Sequence, residues 1–143
     1  MQVKIENSKL GQAMDLLFNL SLKGKQSRHR TKFIKTLSVR SDEVQEQQDA
    51  LIKEHCHLDD FGEPRKIKND TRWDIKDLDA YAKDMKELLD EEIIIEGGDA
   101  HGMLKTVKAV LLDCDVAFSG QEAAVYDYLC EQFEEGIIEP ADK

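Results

Sequence analysis

KGKQSRHRTKFIKTLSVRSDEVQEQQDALIKEHCHL, residues 23–58, carries a continuous helical pattern to which the rest of the chain is fitted. Past Gly24 it holds neither glycine nor proline. Spacing of three and four places Ile34, Leu37, Ser41, Val44, Gln48, Leu51, His55 and Leu58 on one seam, the pattern of a long amphipathic helix packed against a neighbour. The other segments read as partners for this helix.

Upstream, Gln2 to Glu6 alternates polar and apolar, which suits a short strand with Val3 and Ile5 on one side. Ser8 is placed to cap a helix carrying Leu10, Ala13, Met14, Leu17 and Leu20, and Gly24 is a natural place to turn. A connection that short makes the two helices antiparallel neighbours.

Downstream, DDFGEPRKIKNDTRWD, residues 59–74, gathers turn residues and reads as a loop or small hairpin. Asp74 is the expected cap of a third helix, whose face is Leu78, Tyr81, Ala82, Met85, Leu88 and Leu89. Ile93 to Ile95 are β-branched in a row before Gly97 and Gly98, a short buried strand suited to pairing with Val3 to Ile5. Met103 to Leu112 is ambiguous: Val107 to Leu112 would also serve as a strand, but Met103, Leu104, Val107, Val110 and Leu111 fit a helix on the fuller pattern. Ser119 with Glu122 has capping-box spacing ahead of Val125, Tyr128, Leu129 and Phe133, and Gly136 ends that helix. The tail from 137 to 143 adds an edge contact or frays.

The expected fold is therefore mainly α with a small β element. It comprises a long antiparallel helical hairpin, two or three shorter helices and a short two-stranded sheet. A chain of 143 residues is long enough to bury roughly two-thirds of its unfolded surface in one core, so a single domain over 1–143 is expected. Low aromatic content (6%) with 35% charged residues favours helices with broad solvated faces over a sheet sandwich.

The net charge of −10 is unevenly spread. Residues 1–41 hold nine Lys/Arg against two acids, and residues 42–143 hold eleven against twenty-eight; no acid occurs from Leu16 to Ser41. Such a layout binds a polyanion with one end and repels it with the other, or lets two copies attract head to tail. The plainer expectation is that the basic helix face lies along acids of the same domain. Lys23, Lys25, Arg28, Arg30, Lys32 and Lys35 cluster around a helix start, where anions are also favoured. Only Phe33 among them is aromatic, and the acidic remainder repels a polyanion, so direct nucleic-acid binding is disfavoured.

Three cysteines, Cys56, Cys114 and Cys130, without a CxxC pair imply neither a disulfide framework nor a zinc knuckle. No apolar run approaches the roughly 18 residues needed to cross a bilayer, so a soluble cytoplasmic protein is expected. His55, Cys56, His57 and Asp59 are the nearest thing to a metal site, but adjacent residues of a helix point roughly 100° apart. Convergence would need His101, Asp113 or Cys114; a polar helix end accounts for the cluster, and no metal or cofactor is assigned. Asp60-Phe61-Gly62 matches the kinase magnesium triplet in letters alone, and Gly24-Lys25 lacks the upstream glycine of a phosphate loop. Carboxylate pairs such as Asp84 with Glu87 read as solvated faces, so no catalytic residue is named. Trp73, the single tryptophan, is either a packing anchor or a contact point for a partner.

KIENSKL (4–10), LSLKGKQSRHRTKFIK (20–35) and SGQEAAVYDYLCEQFE (119–134) resemble a family of proteins from phages and prophages of Gram-positive bacteria, defined as a domain of unknown function. The resemblance covers most of the chain and implies synthesis in the infected host's cytoplasm. It brings no catalytic residues; Lys23–Lys35 and Tyr126–Glu134 come with it as candidate interaction surface. The expected function is non-enzymatic: a phage accessory protein binding a phage or host protein, in virion assembly or host takeover, with homodimerisation through the long helix as a variant. The alternatives are an acidic, nucleic-acid-mimicking inhibitor of a host defence nuclease, and a metal-dependent enzyme built on His55, Cys56, His57 and Asp59.

Overall fold

The structure is a computed structural model that describes residues 1–96 and 101–135, with His101 described in its backbone alone. The expected stops at Gly97, Gly98 and Gly136, and the tail 137–143, lie outside the described residues. The fold is mainly helical with a small β element, as the sequence predicts; among the described residues the strands form two two-stranded antiparallel sheets, the expected one and a short hairpin. Its contacts gather into two units, residues 1–41 with 92–143, and residues 42–91.

In the first unit, β1 (Gln2–Glu6) buries Val3 and Ile5 completely, as its alternation requires. It pairs antiparallel with β4 (Glu92–Glu96), Val3 opposite Ile95 and Ile5 opposite Ile93. The middle isoleucine differs from expectation: Ile94 is 51% exposed. A two-stranded ribbon with one face on the core sends every second side chain outward, so Ile94 stands opposite Lys4 on the open face.

A single 3₁₀ turn, Asn7–Lys9, joins β1 to α1 (Leu10–Phe18). Ser8 lies inside that turn and does not cap the helix; its hydroxyl donates to the Glu6 carboxylate at 3.5 Å. Leu10, Ala13, Leu16 and Leu17 are buried. Gly24, at φ +61°, opens α2 (Gly24–His55), supplying the left-handed conformation that a side chain resists. Two side chains set the antiparallel register of α1 and α2. Arg30 Nη1 donates to the Leu17 and Leu20 carbonyls at 2.9 and 2.7 Å, and Arg40 Nε donates to Asn7 Oδ1 at 2.9 Å. The inward residue near the start of α2 is Phe33, fully buried, where the seam predicted Ile34, which is only partly covered. Phe33 meets Phe133 of α5 (Gly120–Glu135) with ring centroids 5.5 Å apart. The α4 helix (His101–Leu112) buries Leu104, Val107 and Leu111. Tyr128 of α5 accepts the Glu6 backbone N–H at 2.9 Å, tying the end of β1 to this helix.

The second unit holds the last turns of α2, the hairpin β2 (Lys66–Ile67) and β3 (Arg72–Trp73), and α3 (Leu78–Asp90). The helix does not continue to Leu58. After His55 the backbone leaves the helical ladder for bridges to the hairpin: His57 N–H donates to Asp74 O, and Arg65 N–H donates to His57 O. Lys68, Asn69 and Asp70 make the tip, all with positive φ. The α3 cap is Asp77, which accepts from Asp79 and Ala80 N–H at 3.1 and 3.2 Å. Asp74, the expected cap, sits in the hairpin and faces Arg65 at 3.6 Å. The helix starts three residues later than predicted, and Leu78 (62% exposed) and Ala82 lie off its inner face. Tyr81, Asp84, Met85 and Leu88 take it. This face lies along the second half of the α2 seam, where Gln48 Nε2 donates to Met85 Sδ at 3.7 Å. The core of this unit is thin, with Val44, Cys56 and Leu88 as its buried apolar side chains.

Candidate functional site

The six predicted basic residues separate by role. Lys25, Arg28, Lys32 and Lys35 recur at intervals of three and four on α2, so they share one face, and all four are exposed. Lys23 precedes the helix and is exposed beside them. Among the described residues none of these five forms an ion pair. Among the described residues of the first unit, then, no acid pairs with this basic face. Arg30 falls on the opposite side of the helix. Its guanidinium takes the carbonyls of Leu17, Phe18 and Leu20, the last turn of α1 and the turn beyond. The Leu17 carbonyl also accepts the Leu20 backbone N–H at 3.3 Å, and Arg30 adds a charged donor to the carbonyls at this helix end, so it acts as a structural cap. Val39, 62% exposed, continues the stripe by one apolar position.

Trp73 lies on β3, not at the entrance to α3, and is 37% exposed. Lys66 on the facing strand places its ammonium 4.6 Å from the indole centroid, a cation–π contact. Trp73 lines a cleft of about 400 Å³ together with Ala50, Ile52, Lys53 and Pro64.

The histidine cluster does not converge as a metal site made of His55, Cys56, His57 and Asp59 would. Cys56 is buried and its thiol is pushed up, first by burial and then by Asp74. His57 is exposed, and the Asp59 carboxylate is occupied by the Phe61 and Glu63 N–H groups at 2.8 and 3.0 Å. His55 turns instead to α3: Nε2 lies 2.7 Å from Asp84 Oδ2, and the ring meets Tyr81 edge-on at 5.8 Å. Glu54, His55 and Asp84 bring one donor atom each within 4.8 Å of one another. Two ligands of one tetrahedral ion, at bond lengths near 2.1 Å, stand roughly 3.4 Å apart. The His55–Asp84 separation is shorter and is that of a hydrogen bond locking α3 to α2. Asp84 was hidden in the sequence because its pairing with Glu87 read as a solvated face, whereas its interval of three from Tyr81 and four from Leu88 puts it on the inner one.

The first unit carries a larger cavity of about 540 Å³ between the end of α1 and the 113–118 loop. Leu16, Leu20, Val110 and Phe118 line it, with Asp113, Asp115 and Glu122. Cys114 also lines it, and among the described residues no histidine does. The Cys130 thiol lies elsewhere on α5 and is raised mainly by burial; all three cysteines are free. A raised thiol is a poor nucleophile. Tyr126 donates its hydroxyl proton to the Leu111 carbonyl, fixing α5 to the end of α4, and its ring stacks on Phe118 at 5.0 Å. Burial, with the hydrogen-bonded Cys130 thiol next, pushes its phenol up to about 12. Among the described residues no helix is long and apolar enough to cross a membrane.

Neither a curated protein nor a solved structure matches the chain. The model of the family described as "Protein of unknown function (DUF1617)" matches residues 1–138, and the chain belongs to that family.

Proposed function

We propose that this chain is a non-enzymatic phage accessory protein that acts by binding another protein, of the phage or of its host, in virion assembly or host takeover. The observation that carries this reading is the stripe of Lys25, Arg28, Lys32 and Lys35 on α2, exposed and without intramolecular ion pairs among the described residues. An acidic patch on a partner satisfies all four at once, a complementarity that raises on-rate and specificity more than raw affinity. Lys23 extends the stripe at its start.

A protein partner is favoured over nucleic acid by Phe33. The single aromatic of the basic run is buried against Phe133, so the stripe offers no ring for a base to stack on. The resemblance of the two chain ends to phage proteins of Gram-positive bacteria supports a phage origin and the host cytoplasm as place of action.

The test is affinity capture from infected host cells with the wild-type chain and with the quadruple variant K25E/R28E/K32E/K35E, each checked for native helicity. Enrichment of a phage structural protein or an acidic host protein with the wild type, and its loss with the variant, supports the proposal. Identical capture by both baits overturns it. Enrichment of a host nuclease by both baits favours the acidic-inhibitor alternative.

A further inference from the structure

Two helices of the first unit carry, at one end each, charge of the wrong sign for their own dipoles. The positive end of a helix favours anions and the negative end cations. The first turn of α2 holds no acid and begins with Lys25, one turn before Arg28; the last described turn of α5 holds no base and carries Glu134, one turn after Glu131. Asp127, Glu131 and Glu134 share one face of α5 by their intervals of four and three, with Ala124 one turn earlier on the same face, and all four are exposed. Among the described residues none of these three carboxylates forms an ion pair.

This acidic face matches the basic stripe in spacing. Lys25, Arg28, Lys32 and Lys35 on α2, and Ala124, Asp127, Glu131 and Glu134 on α5, both run at intervals of three, four and three, a rise of about 15 Å. The intervals read the same in either direction, so two such helices lie antiparallel in register: Lys25 meets Glu134, Arg28 meets Glu131 and Lys32 meets Asp127. That direction also sets the positive end of α2 beside the negative end of α5. Neither helix face carries an opposing charge of its own. No acid occurs from Leu16 to Ser41, and α5 holds no Lys or Arg. Lys9 sits over the Tyr128 ring at 5.7 Å, and Lys4 lines a cleft with Gln132 and Glu135. Tyr128 and Gln132 stand about 100° round the helix from Asp127 and Glu131, so these bases flank the acidic face and are not part of it.

We infer that α2 of one copy docks antiparallel on α5 of a second copy through these two stripes. Both belong to the same unit, and among the described residues neither pairs with the other inside the chain; the match is completed between copies. Each copy contributes a different surface, so the contact is heterologous and either closes on itself or grows. Exposed ion pairs contribute little singly, and three of them place the contact among the weak and reversible interfaces. The inference rests on the reading of the α2 stripe as an interaction surface and adds its regulation: self-association covers the stripe, and the acidic patch of a partner competes with α5 for it.

Sedimentation equilibrium of the purified chain from about 1 µM to about 1 mM tests this. At about 0.15 M salt the Debye length of about 8 Å screens the repulsion between net acidic copies and leaves pairs in contact. The average mass of the wild type is expected to rise with concentration. The variants K25E/R28E/K32E/K35E and D127K/E131K/E134K, each checked for native helicity, stay monomeric alone. Their equimolar mixture associates, although both chains remain net acidic. Arg28→Glu weakens association at least several-fold, and Arg28→Glu with Glu131→Arg restores it. A monomeric wild type, a reversed variant that assembles alone as the wild type does, a mixture that stays monomeric, or rescue of Arg28→Glu by Asp127→Arg in place of Glu131→Arg overturns the inference. No other protein is present in this assay, so its failure leaves partner capture from infected cells to stand or fall by itself.

Discussion

Arg30 donates to the Leu20 carbonyl at 2.7 Å, and this bond takes one cation out of a run that reads as uniformly basic. Because the same guanidinium also donates to Leu17 and Phe18, its loss removes a charged donor from three carbonyls of the α1 end at once. Charged hydrogen bonds are worth about 1.5 to 3 kcal/mol each, net. Arg30→Met is expected to destabilise the chain by about 2 kcal/mol or more in urea titrations. Lys25→Ala and Lys32→Ala on the exposed stripe stay within about 0.5 kcal/mol. Arg30→Lys keeps the charge but loses the planar fork, and is expected to fall between them.

Phe33 and Phe133 close the core between α2 and α5. Both are fully buried, so truncation of either to alanine is expected to cost about 3 to 5 kcal/mol. Their contact predicts a coupling of about 1 kcal/mol in a double-mutant cycle followed by denaturant unfolding. Additive effects would place the two rings out of contact.

The cap of α3 distinguishes the observed start of that helix from the one its sequence predicts. Asp77 accepts two N–H groups of the first turn, so Asp77→Ala is expected to cost about 1 kcal/mol. Asp74 has an ion pair at 3.6 Å with a largely exposed Arg65, and Asp74→Ala is expected to cost less than about 0.5 kcal/mol. The reverse ranking by thermal or urea denaturation would return the helix start to Asp74.

Alkaline titration addresses Tyr126. Its folded phenol is raised from 10.0 to about 12, so the folded state holds the proton more tightly than the unfolded one. The stabilisation is complete below pH 10 and is lost as pH rises through 12, where both states are ionised. Stability is therefore expected to fall across that window. Absorbance of the tyrosinates is expected to show a late step near pH 12 that Tyr126→Phe removes. Persistence of that step in the variant would assign it to another group.

Periodicity made the long helix, the β1–β4 pairing and the helices at 101–112 and 120–135 legible, since each is a local pattern of apolar spacing repeated over at least two turns or strand alternations. What it misplaced lies where local signals compete. Asp74 and Asp77 are equally good caps by residue type, and only the hairpin's claim on the Asp74 backbone decides between them. Phe33 and Ile34 are adjacent apolar residues about 100° apart on α2, and the position of Phe133 chooses the first.

The helical class, the basic run free of acids from 16 to 41 and the turn at Gly24 follow from the amino-acid order, because composition, spacing and backbone preference act within a few residues. Tertiary structure alone decided how the charges and rings are used. Arg30 became a cap because the α1 carbonyls lie within its reach, leaving Lys25, Arg28, Lys32 and Lys35 as the exposed set. His55 took Asp84, twenty-nine residues away, in place of its neighbours Cys56, His57 and Asp59. A side chain's role follows from the direction its backbone gives it and from what stands within about 3 Å, and neither quantity is local in sequence.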